Sequence, residues 1–392
     1  AIVGGGFTGL QAAYNLAKKG VSVMLIEAHR FGDGASGRNG GQLGTGQRAE
    51  AEELEAELGF ERAKALFDMA ENAKRHIHDF AAEQNLDIDY VPGQLNVSHK
   101  ASYEKDFRDH IEIAATRFGY PHMHYMDRAE TEERVGSKRF HFGLRDTGTG
   151  HIHPLKLLVG VARAAQAAGA HLHEKTPALK IDRVGGKAVI TTARGTIRAD
   201  RALICCNAHI GDLEPQTAAH VMPIRSFIGA TVPLDKFPSV IPGGEAIADT
   251  RFVVRYFRKT RDGRLLFGGR EAYSENLDDM TPPIRRQIEE VYPELKGIEL
   301  THAWGGSVGI TMPRKPYVRE VMPGITTIGG YSGHGVMLSN YCGKLYAEDV
   351  TGGSAELDLF KALKIPAFPG GARLRSPLLF LAMTWYAMRD RL

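Results

Sequence analysis

What this chain lacks narrows it quickly. Three cysteines in 392 residues, two of them adjacent at Cys205 and Cys206, make neither a disulfide framework nor a zinc spacing, so a reducing cytoplasm is the expected setting. No apolar run reaches the roughly eighteen residues that cross a bilayer, and no secretory leader is read at Ala1. Nor is one sign of charge in excess. The 49 Lys and Arg against 46 Asp and Glu leave a net +3 spread along the chain, which argues against nucleic acid or an acidic membrane surface as partner. Histidines recur two apart (His122 and His124, His151 and His153, His171 and His173) and share strand faces, but no Cys or Glu cluster accompanies them, so no metal is predicted. What remains is ordinary for a globular enzyme of two domains: 43% hydrophobic and 24% charged residues.

The stretch from Ala1 to Gln42 is where chemistry becomes visible. An apolar strand, Ala1-Ile2-Val3, runs into Gly4-Gly5-Gly6-Phe7-Thr8-Gly9, then into a helix from Leu10 to about Lys19 that Gly20 stops. A second strand, Val21 to Ile26, ends on Glu27, eighteen residues beyond Gly9. Together these make a dinucleotide fingerprint, in which each glycine has a task. Gly4 allows the tight turn, Gly6 admits a pyrophosphate close to the backbone, and Gly9 lets helix and strand pack. The helix N-terminus then presents unpaired N–H groups and a positive dipole end to the phosphates. Glu27, followed by Ala28, is placed to accept ribose hydroxyls and to repel a 2′-phosphate. Beyond it, residues 32–46 are too rich in glycine to order cheaply unless something is cradled there, such as a flavin ring as the second half of the cofactor.

These residues carry a resemblance. The fingerprint, the run Gly34-Ala35-Ser36-Gly37-Arg38-Asn39-Gly40-Gly41-Gln42, and Gly330-Tyr331-Ser332-Gly333-His334-Gly335-Val336 are similar to FAD-dependent oxidoreductases of the D-amino-acid oxidase type. Within that family the gamma-glutamylputrescine oxidoreductases match best, through Tyr256-Phe257-Arg258, the segment 262–270 and Phe368-Pro369-Gly370-Gly371. The resemblance implies a Rossmann-like α/β FAD-binding domain beside an α+β substrate domain with an antiparallel sheet. It also implies that Pro177 and Ala178 pass near the adenine, that Asn207-Ala208 lies near the pyrophosphate, and that Gly305 adjoins the cofactor. Tyr256 and Arg258 are favoured for substrate, with the Arg258 guanidinium as a fork for a carboxylate.

Patterning places the FAD-binding domain at residues 1–87, 148–220 and 320–360, the substrate domain at 88–147 and 221–319, and a tail helix at 361–392. Helices are predicted over about 47–84, 101–118, 155–168, 283–292 and 336–350. Apolar strands between Ala170 and Cys206 are read as members of a parallel sheet covered on both faces. Short strands from Met222 to Trp304 are read as the antiparallel sheet that roofs the flavin, with Arg225, Arg255, Arg270 and Trp304 as further candidates on it. His334 opens the helix after the second glycine turn, either as a catalytic group or as a cap.

The function read from these pieces is oxidation of a carbon–nitrogen bond in an amine, with hydride passing to flavin N5 and the imine hydrolysing. The resemblance implies a gamma-glutamylated polyamine substrate, dioxygen as acceptor and hydrogen peroxide as product. Two departures stand out. Sarcosine oxidases in the wider family carry a lysine near the flavin where this chain has Leu266, with Arg270 the nearest cation. They also tether flavin to a cysteine in the segment matching 305–312, where this chain has none, so non-covalent FAD is expected. The alternatives are a dehydrogenase passing electrons to quinone or another carrier, and a non-catalytic flavin-binding module.

Overall fold

A computed structural model describes residues 1–272 and 280–371, with the main chain alone for 270–272. The chain opens as β1 (Ile2–Val3), α1 (Phe7–Lys18) and β2 (Met24–Ile26). Next come α2 (Ala35–Arg38), α3 (Ala51–Leu58) and α4 (Phe60–Glu83), the last two parted at Gly59, whose φ of +81° an L residue resists. The middle holds β3 (Val91–Val97), α5 (Glu104–Thr116), β4 (Met123–Met126), α6 (Arg128–Val135), β5 (Gly143–His151), α7 (Pro154–Ala167) and β6 (His171–His173). There follow β7 (Ala178–Val184), β8 (Lys187–Thr192), β9 (Gly195–Ala199), β10 (Ala202–Ile204), α8 (Pro215–His220), β11 (Met222–Pro233), β12 (Ala246–Asp249), β13 (Tyr256–Lys259) and β14 (Arg264–Ala272). The chain continues through α9 (Thr281–Val291), β15 (Leu300–Ile310), β16 (Tyr317–Met322), β17 (Ile325–Gly329), α10 (Gly335–Thr351) and α11 (Ala355–Ala362). The expected tail helix falls largely on residues 372–392, which lie outside the described residues.

Two sheets carry the molecule. One has six strands in the order β16-β17-β10-β1-β2-β6, parallel except for β16. Its side chains alternate as a strand demands. Ile2, Leu25 and Leu203 sit in a core with α1, α7 and α10, whereas Val3, Ile26 and Ile204 face Ile181, Ala188 and Ile190. That second cover corrects the sequence reading. Residues 178–199 are not parallel strands of the main sheet but a separate antiparallel meander, β7-β8-β9, laid on its back. The connections decide it: two residues join each successive pair of these strands, and a parallel pair needs a crossover of a dozen or more.

The other sheet has eight strands in the order β15-β11-β14-β13-β12-β3-β5-β4. It is antiparallel except that β12 runs parallel to β3. One face buries Leu95, Val97, Ile247, Phe257 and Phe267 against Ile284, Ile288 and Val291 of α9. The opposite face turns toward the six-stranded half. β5 stays in this sheet as far as His151 and β16 belongs to the other, so both strands straddle the domain limits expected at 148 and 320. Among the described residues no helix is long and apolar enough to cross a membrane.

Candidate active site

The fingerprint turn is held by contacts that leave no room for side chains. Gly4 has φ +115°, and a Cβ on Gly9 would stand 2.0 Å from the Gly4 carbonyl oxygen. Gly6 is the N-cap of α1 with no side-chain cap, and the Phe7 amide donates to Ser36 Oγ at 3.1 Å. Glu27 ties the turn together: its carboxylate accepts from the Gly5 amide at 2.7 Å and the His29 amide at 2.9 Å. The amides of Lys175 and Thr176 donate to the carbonyls of His29 and Glu27, which brings the segment leading to Pro177 and Ala178 against Glu27 and Ala28.

From this turn a cavity of about 1440 Å³ runs between the two sheets. Of the expected cofactor residues, Gly6, Phe7, Thr8, Ser36, Arg38, Asn39, Gly40, Gly41, Gln42, Asn207, Ser332, Gly333, His334, Gly335 and Val336 line it. Gly4, Gly9, Glu27, Ala28, Pro177, Ala178, Ala208, Gly305 and Gly330 do not. Gly305 and Gly330 back the wall, where Asn207 Oδ1 accepts from the Gly330 amide at 2.8 Å and the Gly305 carbonyl accepts from Arg38 at 3.3 Å, whereas Ala28 and Pro177 are exposed. The 34–42 run is ordered by its own bonds: Asn39 donates to the carbonyls of Ala35 and Ser36 and accepts from the Gly41 amide at 2.8 Å. At Gly41, with φ +82°, a Cβ would meet the Ile152 carbonyl oxygen at 2.0 Å.

The second glycine turn closes the far side. Thr8 Oγ1 and the Tyr331 hydroxyl share a hydrogen bond of 2.8 Å across 323 residues of sequence, so the two turns are braced against each other. α10 starts at Gly335 with its N-terminal residues in the cavity wall. His334 lies over Gly44 and bonds through Nε2 to the Gly46 carbonyl at 3.0 Å. Burial lowers its pKa to about 4, so it is neutral and its Nε2–H is committed. Its side chain makes no capping bond.

On the sheet side, Tyr256 lines the cavity, its ring packed on Gly40 and Gly268 and its hydroxyl 3.2 Å from Ser226 Oγ. Arg258 is a correction. Its guanidinium donates to the main-chain carbonyls of Gly40, Lys259 and Ile152, it is absent from the cavity wall, and burial lowers its pKa to about 10, still protonated near neutrality. Arg258 stands two positions after Tyr256, so strand alternation turns both to the same face; the clamp onto 40 and 152 then draws Arg258 behind the loop. The Arg270 main chain pairs with Phe227, and its side chain lies outside the described residues. Arg255 is paired with Glu290, and Trp304 Nε1 donates to the Arg38 carbonyl at 2.9 Å.

The sequence reading missed a polar part of the wall. Gln94 and Asn96 on β3 and Asp146 on β5 line the cavity, as do Glu50, Glu52 and His110 at its mouth. Behind them Lys74, 5% exposed, donates to Thr45, Tyr120 and the Gly148 carbonyl, while Thr45 and Tyr120 both donate to Asp146 at 2.6 and 2.7 Å. One signal was present: in Gln94-Leu95-Asn96-Val97 polar and apolar residues alternate inside a strand, which marks a polar inner face.

A glycine turn tied down by a carboxylate, a second turn at a helix N-terminus and a chamber joining them to a side-chain wall define a dinucleotide flavoprotein. The residues fit FAD: glycines keep the floor low at Gly6, Gly40 and Gly306, the uncapped N-terminus of α1 offers amides suited to phosphate, and the Glu27 carboxylate holds the turn through the Gly5 amide. Comparison agrees, since a family model described as FAD dependent oxidoreductase matches residues 1–349. The chain belongs to this family and is an FAD-dependent oxidoreductase. It is 67% identical over 392 residues, all of this chain and 92% of the relative, to a protein of Rhizobium meliloti described as "Probable oxidoreductase OrdL". It is 33% identical to the gamma-glutamylputrescine oxidoreductase of Escherichia coli, again over all of this chain and 92% of the other. Among solved structures, glycine oxidase from Geobacillus kaustophilus shares the fold, with a TM-score of 0.77 at 22% identity, covering 93% of this chain and 98% of the other.

Proposed function

We propose that the protein oxidises the carbon–nitrogen bond of an amine, a gamma-glutamylated polyamine or a close chemical relative, with dioxygen as acceptor. The observation that supports this most is the end-to-end likeness to a gamma-glutamylputrescine oxidoreductase, joined to a cavity wall that Arg258, the expected carboxylate fork, does not line. Bound FAD supplies the two-electron acceptor that takes a hydride from the carbon bearing nitrogen, after which the imine hydrolyses in water.

The chain's own residues align and insulate. Tyr256 gives the substrate a flat, amphipathic wall fixed by Ser226. Arg258 holds the loops at Gly40 and Ile152 in register, so the floor under Tyr256 keeps its shape. The α10 N-terminus directs its positive end into the chamber, where it stabilises negative charge that builds on reduction. His334 is neutral and bonded to Gly46, so it positions and does not shuttle a proton. Burial raises the cysteine thiols, Cys206 and Cys342 to about 12, and no cysteine stands at 305–312, so the cofactor is held without a tether.

A second reading is favoured by one observation: no lysine is among the described residues that line the cavity, in keeping with the resemblance, which sets Leu266 or its neighbours where sarcosine oxidases carry one. An amine dehydrogenase serving a quinone or another carrier follows from that. The test is an anaerobic titration of the yellow protein with polyamines, gamma-glutamylated polyamines, N-methyl amino acids and D-amino acids. Bleaching by the polyamine group supports the proposal, and bleaching only by amino acids overturns it. Readmitted air then reoxidises an oxidase within its turnover time and leaves a dehydrogenase reduced.

A further inference from the structure

One end of the cavity is built from acceptors. Strand pairing places Gln94 beside Asp146 and Asp146 beside Met123, so β3, β5 and β4 form one wall of this limb. Opposite, α5 packs on β4, and His110 of α5 reaches Glu52 at 3.2 Å and Glu50 at 4.0 Å at the start of α3. Exposure falls along the limb, from Glu50, Glu53 and Asp106 at the surface through Glu52 and Asp109 to Gln94, 9% exposed. The carboxylates outnumber the cations lining this part, Arg48 and His110, and Arg251 elsewhere on the wall is paired with Asp249.

Two of the acceptors have no partner among the described residues. Gln94 donates through Nε2 to Asn96 at 3.2 Å, but its Oε1 is sealed from solvent and accepts nothing. Glu52 bonds His110 through Oε1, and its Oε2 is likewise sealed and unpartnered. A buried acceptor without a donor costs free energy, and a native site resolves it with a ligand that brings N–H groups. An ammonium offers three donors and no acceptor.

We propose that this limb is a subsite for an ammonium group at the far end of the substrate, seated against Gln94 Oε1 and drawn in past Glu52. The inference rests on the amine-oxidising reading and sharpens it: the substrate carries a second cationic nitrogen remote from the oxidised carbon, such as the α-ammonium of a glutamyl end, and an end that bears a carboxylate without an ammonium is disfavoured. Gln94 and Glu52 are then the residues that set specificity.

The test is calorimetric binding to the holoenzyme under nitrogen, with 1,5-diaminopentane, pentylamine and 5-aminopentanoate as probes of equal chain length. The diamine is expected to bind about tenfold tighter than pentylamine, as one charge-assisted hydrogen bond gives, and 5-aminopentanoate weakest. Gln94→Met brings the diamine-to-pentylamine ratio toward one, and Glu52→Gln, at a half-exposed site where folding is not at stake, lowers it several-fold. Equal affinity for diamine and pentylamine in the wild type, or a ratio unmoved by both variants, overturns the subsite. The two readings fail separately. A ratio that depends on Gln94 in a protein whose flavin no amine bleaches keeps the subsite and removes the oxidation. Bleaching with KM ratios unmoved by either variant does the reverse.

Discussion

The two walls of the cavity are made of different material. On the nucleotide side the work falls to backbone: glycines at 4, 6 and 9, an uncapped helix end, and a second glycine turn braced through Thr8 and Tyr331. On the sheet side it falls to side chains, with Tyr256, Gln94, Asn96 and Asp146 projecting from strands whose backbones are wholly occupied in pairing. A backbone site tolerates almost nothing, because a Cβ at Gly4 or Gly9 collides with a carbonyl and one at Gly6 with Ser36 Oγ. A side-chain wall can be rewritten one residue at a time without loss of the fold.

The contrast sets a ranking of expected effects. Gly9→Ala is the harshest, since its Cβ would meet the Gly4 carbonyl at 2.0 Å. We expect about 3 kcal/mol of lost stability and purification without flavin, read from the flavin-to-protein ratio and thermal unfolding. A yellow, stable variant would erase the distinction between the walls. Arg258→Met follows, with one buried and two part-buried carbonyls left without this donor at a cost of about 2–3 kcal/mol. Its KM for the amine should move by less than about twofold, as the missing group lies outside the chamber; a large KM rise at unchanged stability would return Arg258 to the substrate. Glu27→Gln should weaken FAD by about 2 kcal/mol, near thirtyfold, in a fluorescence titration of the apoprotein. Tyr256→Phe should leave FAD affinity intact and lower kcat/KM by a few-fold, since the hydroxyl and its bond to Ser226 go while the ring stays.

The mildest effect near neutrality is that of pH. Burial lowers the pKa of His76, His151 and His334 to about 4 in the fold, against an ordinary 6.5. The unfolded chain therefore takes up protons between those values that the folded chain does not. Their contribution to stability is complete above about pH 6.5 and is lost as pH falls toward 4. His76→Gln, away from the cavity, should flatten the fall in unfolding temperature over that window.

The same contrast explains what was legible in the sequence. Gly4, Gly6, Gly9 and Glu27 could be read because backbone chemistry constrains residue type at fixed spacing. The run 34–42 could be read because that much glycine demands a ligand or a close approach, as at Gly41. Arg258 could not, since spacing does not tell a guanidinium that faces a ligand from one that ties down two loops. Residues 178–199 were misplaced because short apolar runs look alike in either kind of sheet, though Gly185-Gly186 between two of them marked a hairpin. Gln94, Asp146 and Lys74 belong to no motif; their meeting is a product of strand register and of α4 packing beneath.

The brace between Thr8 and Tyr331 has a consequence for how the molecule is made. Neither sheet is a continuous stretch of chain: the six-stranded one waits for β17 and the eight-stranded one for β15. During synthesis the glycine turn leaves the ribosome first, and the tyrosine that buttresses it follows 323 residues later. Such long-range closure is slow, and a partly made chain has a phosphate loop with nothing behind it. Cofactor capture is therefore a late event, one that waits until the chain has been made at least as far as Tyr331, and flavin bound to the closed site adds to the stability of the folded state by mass action.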